Sequence, residues 1–415
     1  MDVRFLAVAD LSDEVQGRWR ALACGALEPN PTFDPEVLVS ASRHDRAWAD
    51  LRLLVVSEGD RFLACLPVRS MERWHRLPVR ALTTRLDDGP VPLFPLLGTP
   101  LVAVDAAAPA LRALLSGLAS GKVAEPPADV PRRPPSILVL ERWNDEGPVA
   151  RLWRETCRTL GLPLQVSDAW QRPLVRRAPG SAAEWPTVFG RRRLAEAERS
   201  RRRLTEQVGE VRFVERWQDP TAVDDFLALE ASGWKGRAGT ALQQAPEQAA
   251  AFRDACDRWA AAGRLMTLTL EVAGRPIGVQ CAVRSGEGVF LLRTAYDEEY
   301  ARYGPGVLVH LATAQHCFAR AGLEWIDACC APDNTFCTGF FPDRVAVATA
   351  VTGFGAMGRA APAAWRVAGP AGKRLRRSAR RVLGTTRGLT RSDAATLGPA
   401  AGSIREVSGP NSGGC

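Results

Sequence analysis

Apolar residues recur along the chain with two periods, alternating over short runs and spaced three or four apart over longer ones, the pattern of a mixed α/β protein. "RFLAV" opens as a strand, and a helical pattern follows to about Leu27. "NPTFDPEVLVSASRH" has the Asp and Pro of a helix start, followed by helical apolar spacing. "LRLLVVSEGDRFLACLPV" is two apolar runs joined by Gly59-Asp60 and predicts a β-hairpin. Residues 83–104 read as a Pro-rich loop and "PPADVPRRPP" (126–135) as a hinge or surface loop. "SILVLE" predicts a strand and 147–161 a helix.

A second unit starts near Ala182. "FGRRRLAEAERSRRRLTEQVG" predicts a very basic helix and "EVRFVER" a strand, with further helices over 220–234 and 246–262. "RLMTLTLEV", "IGVQCAVR" and "VFLLRTAY", separated by turns at 273–276 and 285–288, predict an antiparallel three-stranded meander. A helix from Val307 to about Ala321 and closing strands in "LEWIDA" and "VAVATAVT" complete the unit. No residue-level repeat exists, but the order of elements repeats loosely. The expected class is α/β (α+β), with two related lobes over 1–180 and 181–355, each a mixed, mostly antiparallel sheet flanked by helices. Residues 356–415 are Ala/Gly/Arg/Ser-rich and are expected to be a disordered basic tail, with one basic helix around 371–383.

Composition fits a globular chain: 46% hydrophobic and 24% charged over 415 residues. The formal charge of +8 sits in the tail, where Gly353 to Cys415 holds eleven Lys/Arg against two acids. The remainder is close to neutral, which argues against a body built to grip nucleic acid and makes an anionic membrane surface a candidate partner for the tail. Ten cysteines without regular spacing and only four histidines argue against a disulfide scaffold or a zinc site, so no metal is expected. "MDVRFLAVADLSDEVQ" lacks the layout of a signal peptide, and no apolar run approaches the roughly 20 residues of a membrane span. The expected compartment is the cytoplasm, with the inner membrane face as an additional location.

Two segments carry candidate chemistry. In the first, Val223, Leu227, Glu230 and Trp234 share a helical face, so Glu230 falls on an apolar stripe. A buried carboxylate needs a partner or a raised pKa. It is either a rim residue paired with Lys235 or Arg237, or a group facing a cleft to orient or deprotonate a nucleophile. Gly236 and Gly239 then break the helix, leaving a loop that carries Trp234, Lys235, Gly236 and Arg237, suited to lid a pocket and meet an anion. In the second segment, all three tyrosines of the chain, Tyr296, Tyr300 and Tyr303, fall within "TAYDEEYARYGPGVLVHL". Gly304, Pro305 and Gly306 follow at a helix start, either as a plain turn or as an N-terminal cradle for a diphosphate. The arginine runs 191–193 and 201–203 are either a solvated face paired with Glu196 and Glu198 or a phosphate contact, and His310 and His316 have no metal-ligand spacing.

Together, "LEASGWKGRAGTAL" and "GRLMTLTLEVAGRPIGVQCAVRSGEGVFLLRTAYDEEYARYGPGVLV" resemble the GNAT-type acyltransferases of the CelD/BcsL family, associated with cellulose or exopolysaccharide biosynthesis. The resemblance covers about Arg191 to Ala328, with "NPTFDPEVLVSASRH" and "PLLGTPLV" similar to the family's first half. That family is in turn similar to the tandem-GNAT Fem peptidoglycan aminoacyltransferases. The resemblance implies that Glu230, Trp234, Lys235, Gly236 and Arg237 line the acceptor side. It puts Tyr296, Asp297 and Tyr300 at the reaction centre, and Tyr303, Gly304, Pro305, Gly306 and Val307 around the diphosphate of acyl-CoA. The chain departs from the family at "DACCAPDNTFCTGFFPDR", where an aromatic-Lys pair and a Trp are expected.

The implied reaction is direct acyl transfer from acyl-CoA, acetyl-CoA above all, to the amine or hydroxyl of a small molecule or saccharide. Asp297 or Glu230 is the expected proton acceptor, and Tyr296 or Tyr300 the donor to the departing thiolate. Two alternatives remain: an aminoacyl-tRNA-dependent transferase whose basic helix grips tRNA, and a degenerate GNAT serving as an accessory module of a polysaccharide or membrane assembly.

Overall fold

Several strands are buried along nearly their whole length, as in Leu53–Ser57 and Phe62–Val68, so the sheet must be covered on both faces. The computed structural model describes residues 1–75, 77–86, 97–124, 135–177 and 188–360. The first half runs β1 (Asp2–Ala7), α1 (Asp13–Cys24), α2 (Pro35–His44), β2 (Arg52–Glu58), β3 (Arg61–Met71), β4 (Ala81–Thr83), β5 (Leu101–Val102), α3 (Ala107–Ser120), β6 (Ile137–Asn144), α4 (Pro148–Thr159) and β7 (Leu164–Arg176). The second runs α5 (Arg191–Gln207), β8 (Val211–Glu215), α6 (Ala222–Ser232), α7 (Trp234–Arg237), α8 (Pro246–Ala261), β9 (Leu265–Val272), β10 (Arg275–Ser285), β11 (Gly288–Tyr296), α9 (Pro305–Phe318), β12 (Trp325–Asp327), α10 (Thr335–Phe340) and β13 (Asp343–Gly353).

The strands form one sheet in the order β1-β2-β3-β4-β6-β13-β7-β12-β11-β10-β9-β8, with β5 on β3. Each half holds one parallel pair, β4 with β6 and β11 with β12. A helix, α3 or α9, lies in the connection between the partners, as a parallel crossover requires. The expected mixed, mostly antiparallel architecture holds. The chain order is less simple than expected, because the last strand, β13, lies between β6 and β7. β7 also pairs with β12, so backbone hydrogen bonds run without interruption from one half to the other. Of the stretch read as a Pro-rich loop over 83–104, residues 87–96 lie outside the described residues, while Leu101–Val102 is no loop but the short strand β5 on β3; 126–134 of the expected hinge and the tail beyond 360 also lie outside the described residues.

Two apolar clusters fill the interior. One unites first-half residues such as Trp19, Leu54 and Trp153 with Phe226, Phe252 and Trp259 of α6 and α8. The other packs Leu204 of α5 and Leu308 and Phe318 of α9 onto Leu268 and Leu270 of β9.

α2 and α8 meet beside a charged staple. Asp34 precedes α2, as the sequence suggests, but makes no side-chain capping bond. Its carboxylate accepts from Trp259 Nε1 (3.2 Å) and pairs with Arg264 Nη2 (2.7 Å). Glu36, equally buried, lies 3.9 Å from Arg264 and accepts from Arg20 Nε (2.5 Å). Burial pushes Asp34 up to about 7 against the pull of the Arg264 charge, and neighbouring Glu36 pushes the same way. Folded Asp34 therefore holds a proton that the unfolded chain releases, and its contribution to stability falls as pH rises from the ordinary 3.8 to about 7.

Arg264→Met removes the shared cation. The expected result is a loss of roughly 3–5 kcal/mol, larger at pH 8 than at pH 5, read from urea unfolding midpoints at the two pH values. Equal losses at both would show that Asp34 does not depend on Arg264 for its ionisation.

Candidate functional site

α6 ends at Ser232 because Gly233 leaves helical geometry (φ −84°, ψ −167°). The helix expected to reach Trp234 therefore stops short, and Trp234 does not share the stripe of Val223, Leu227 and Glu230. It begins the separate turn α7, and its indole is 56% exposed. Gly236 sits inside that turn, where a Cβ would lie 1.7 Å from the carbonyl oxygen of Ala231. Only glycine allows α7 to fold back this tightly.

Glu230 is buried and occupied. Its Oε1 accepts from Lys235 Nζ (2.8 Å) and Arg293 Nη1 (3.2 Å), and its Oε2 from the Leu242 backbone N–H (2.9 Å). Burial alone would raise its pKa, but the Arg293 and Lys235 charges and the Leu242 bond outweigh it and hold the carboxyl below its ordinary value. Glu230 is thus an ionised hub joining α6, α7, the loop at Leu242 and β11.

β11 has two unlike halves. Gly288–Phe290 pairs in parallel with Trp325–Asp327, where β12 ends. Beyond that point β11 runs on to Tyr296 and pairs only with β10 among the described residues. Cys281 faces Arg293 and Ala282 faces Leu291, so Leu292 has no partner on β10. This bulge re-aims the side chains that follow. Arg293 reaches Glu230 on the α6 side, while the Tyr296 ring lies 3.5 Å from where a Cβ on Gly306 would be, on the α9 side.

The tyrosine loop is a 3₁₀ turn over Glu298–Tyr303. Asp297 starts it, accepting from the Glu299 N–H (3.1 Å) and pairing with Arg275 (3.0 Å). Tyr303 is buried, and its hydroxyl donates to Gln207 of α5 (2.7 Å). Tyr300 packs on the second core cluster. Gly304 adopts left-handed geometry (φ +63°) and leads into α9 with Pro305 at its first position and no side-chain cap. Gly306 and Val307 are half-buried and lie in the first helical turn, whose N–H groups have no intrahelical acceptor.

The two sequence segments meet. Leu229, Glu230, Trp234, Lys235, Thr294, Tyr296 and Glu298 line one small cleft of about 30 Å³. Asp297, Tyr300 and Tyr303 are not among its lining residues. Arg237 joins through Glu298, which pairs with the Arg237 guanidinium and accepts from the Trp234 backbone N–H (2.6 Å). That guanidinium holds Glu298 below the usual carboxylate range. Sequence reasoning missed Glu298 and Arg293. The available signals were an acidic pair inside the tyrosine cluster and a lone Arg in the apolar strand "VFLLRTAY".

The remaining candidates are engaged elsewhere. On α5, Arg192 pairs with Glu196 and Arg201 with Glu198, while Arg193 donates to the carbonyls of Phe340 and Gly339. His316 pairs with Glu215. His310 stacks among Phe336, Phe340 and Phe341, and burial lowers it to about 4. The stretch that departs from the CelD/BcsL pattern thus folds partly as α10 and forms an aromatic box. Among the described residues, no group of three His, Cys, Asp or Glu is placed to hold a metal, and no helix is long and apolar enough to cross a membrane.

Residues 191–336 match the family described as an acetyltransferase (GNAT) domain. No curated protein matches the chain in sequence. Among solved structures, the chain is similar to a conserved protein of unknown function from Bacteroides thetaiotaomicron VPI-5482, with a TM-score of 0.53 and 11% identity over 83% of this chain and 98% of that one. It is similar to FemX, with a TM-score of 0.52 and 10% identity over 85% and 97% of the two chains. A tandem GNAT protein from the clavulanic acid biosynthesis pathway aligns over 84% of this chain and 97% of its own, at 14% identity and a TM-score of 0.36. At such identities the first two likenesses speak for fold. The matched segment spans α5 to the start of α10 and contains the whole cleft, and with it the protein carries a GNAT acetyltransferase domain and is an acyltransferase.

Proposed function

We propose that the protein is an acyl-CoA-dependent N- or O-acyltransferase, with acetyl-CoA as its simplest donor. The observation that carries this reading is the junction of the unpaired half of β11 with the uncapped start of α9, beside the Tyr296 cleft. Acyl-CoA supplies an activated thioester: the acyl carbon leaves sulfur for an acceptor oxygen or nitrogen, and the acceptor's proton ends on sulfur. The residues present fit such a donor. Gly304 turns the chain so that the Gly306 and Val307 N–H groups head α9, whose dipole favours the negative charge of a diphosphate. The free edge of β11 offers backbone groups to the donor's amide-bearing arm and a donor for its carbonyl.

Tyr296 supplies the proton for the leaving side, its hydroxyl donating to sulfur as the thiolate develops. Glu230 acts as a positioning residue, because its charge is committed to Lys235 and Arg293. Asp297 likewise fixes the loop through Arg275 and Glu299. The acceptor's proton then passes to water, and alignment on the order of 7 kcal/mol or more makes so weak a base sufficient. The resemblance to the CelD/BcsL proteins supports cell-envelope or polysaccharide biosynthesis as the setting, with a saccharide, peptide or small amine as acceptor. The charge of the tail supports docking on an anionic membrane face.

Acetyl-CoA is expected to raise the melting temperature of the full chain. Gly306→Asp should abolish that shift while leaving the protein's own melting temperature almost unchanged, since an acidic residue suits a first helical turn and its Cβ meets Tyr296 at an ordinary 3.5 Å. A wild-type protein with no shift at saturating donor defeats the reading. Glu230→Gln strands two cations, and a loss of roughly 2–3 kcal/mol at pH 7 is expected. Because Glu230 is held below its ordinary value, its stabilisation is present above about 4.5 and is lost as pH falls through the lowered value. Urea midpoints between pH 3 and 7 should therefore fall more steeply on the acid side for the wild type than for the variant.

A further inference from the structure

A second, larger cavity of about 270 Å³ opens between the two halves, across β7, β12 and the first part of β11. Its size lies just below the roughly 300–1,000 Å³ of drug-sized ligand sites and suits a small ligand. Asp327, the last residue of β12, lines it, at the point where β11 loses its partner strand. The cavity therefore reaches the notch in which the transfer chemistry is placed above.

Its walls combine three kinds of group. Trp325 and Phe290, packed edge to face at 5.0 Å, form an apolar wall. Arg172 is 6% exposed and pairs through Nη2 with buried Asp327 (2.7 Å), but its Nε, equally buried, has no hydrogen-bond partner. A buried donor left unpaired costs about 1–3 kcal/mol, and this one reaches a ligand only if the guanidinium turns toward the cavity. Glu28, 7% exposed, accepts from Asn144 Nδ2 (2.8 Å) and the Val149 N–H (2.7 Å). A carboxylate offers about four acceptor sites, so some remain. Burial raises Glu28 above its ordinary value, against the bonds from Val149 and Asn144 and the Arg151 charge.

The charges lining the cavity cancel: Arg172 and Arg176 face Glu28 and Asp327. A polyphosphate would meet two carboxylates, and a polyamine two guanidinium groups. A purely apolar ligand would leave the Glu28 lone pairs unmatched. A hydroxylated ring satisfies all of them, since each hydroxyl both donates and accepts and the C–H face of the ring suits an aromatic wall. We propose that this cavity binds an uncharged saccharide and is the acceptor site of the enzyme. The acceptor role rests on the acyltransferase reading; the binding itself does not.

The test uses the full chain without donor, and cellobiose and N-acetylglucosamine as probes, followed by saturation-transfer NMR, with spermidine and inorganic pyrophosphate as charged controls. Val345→Trp from β13, the cross-strand neighbour of Arg172, and Leu27→Trp from the opposite wall narrow the cavity while replacing none of its polar groups. The expected result is saturation transfer to at least one saccharide in the wild type, weakened by about tenfold or more in affinity in each variant that still shows the acetyl-CoA thermal shift. Absence of transfer to both saccharides, undiminished transfer in both narrowed variants, or a preference for a charged control each overturns the proposal. Saccharide binding without any acetyl-CoA shift would remove the donor reading and keep the pocket; a donor shift without saccharide binding would do the reverse.

Discussion

A strand that loses its neighbour halfway along must leave backbone groups without ladder partners. β11 is such a strand, paired on both sides up to Phe290 and on one side after it. The rest of the candidate site follows from that constraint. The free edge makes a notch between β11 and the end of β12. The bulge at Leu292 divides the side chains beyond it between the α6 and α9 faces. The uncapped turn of α9 adds further unpaired N–H groups close to Tyr296. Unpaired main-chain groups at this concentration weaken a fold, and they persist where a ligand completes them.

The notch needs rigid walls, and charge supplies them. Glu230, Lys235 and Arg293 bind α6, α7 and β11 into one corner, while Glu298 ties the tyrosine turn to α7. Each tie crosses from one element to another, so the cleft is shaped by long-range pairs and not by either loop alone. This is why Trp234 projects outward: α7 is held by its backbone and by its Lys and Arg, leaving the indole free at the mouth of the cleft.

Much of this was legible in the sequence. Period-two runs and Gly turns identified the β9–β11 meander, the β2–β3 hairpin and the strand nature of β13, because those signals are local. The two odd segments were visible because small, aromatic and charged residues crowd them. Pairing partners were not visible. Nothing in "VAVATAVT" says that it lies between β6 and β7, since register is set by packing across the whole sheet. The break at Gly233 was hidden because helical spacing continues through it to Trp234. Tyr300, Tyr303 and Asp297 stood out with Tyr296 by composition, yet they are engaged in the core or in local bonds; only geometry separates a residue that lines a cleft from one that holds it.

Buried carboxylates show the same division. Asp34, Glu28 and Glu230 are all nearly inaccessible, yet burial raises the first two while two cations hold the third low. The difference is compensation. Glu230 pairs with both Arg293 and Lys235, whereas Asp34 shares Arg264 with Glu36, and Glu28 is bonded by neutral donors. A fully compensated carboxylate is inert and rigid, suited to hold a cleft in shape. An undercompensated one keeps unused capacity, and a fold retains that cost most readily where the group faces a cavity. Asp34 faces the packed junction of α2 and α8, so its cost is structural. Glu28 lines an open cavity, so the acceptor capacity it leaves unused faces space that a polar ligand can enter.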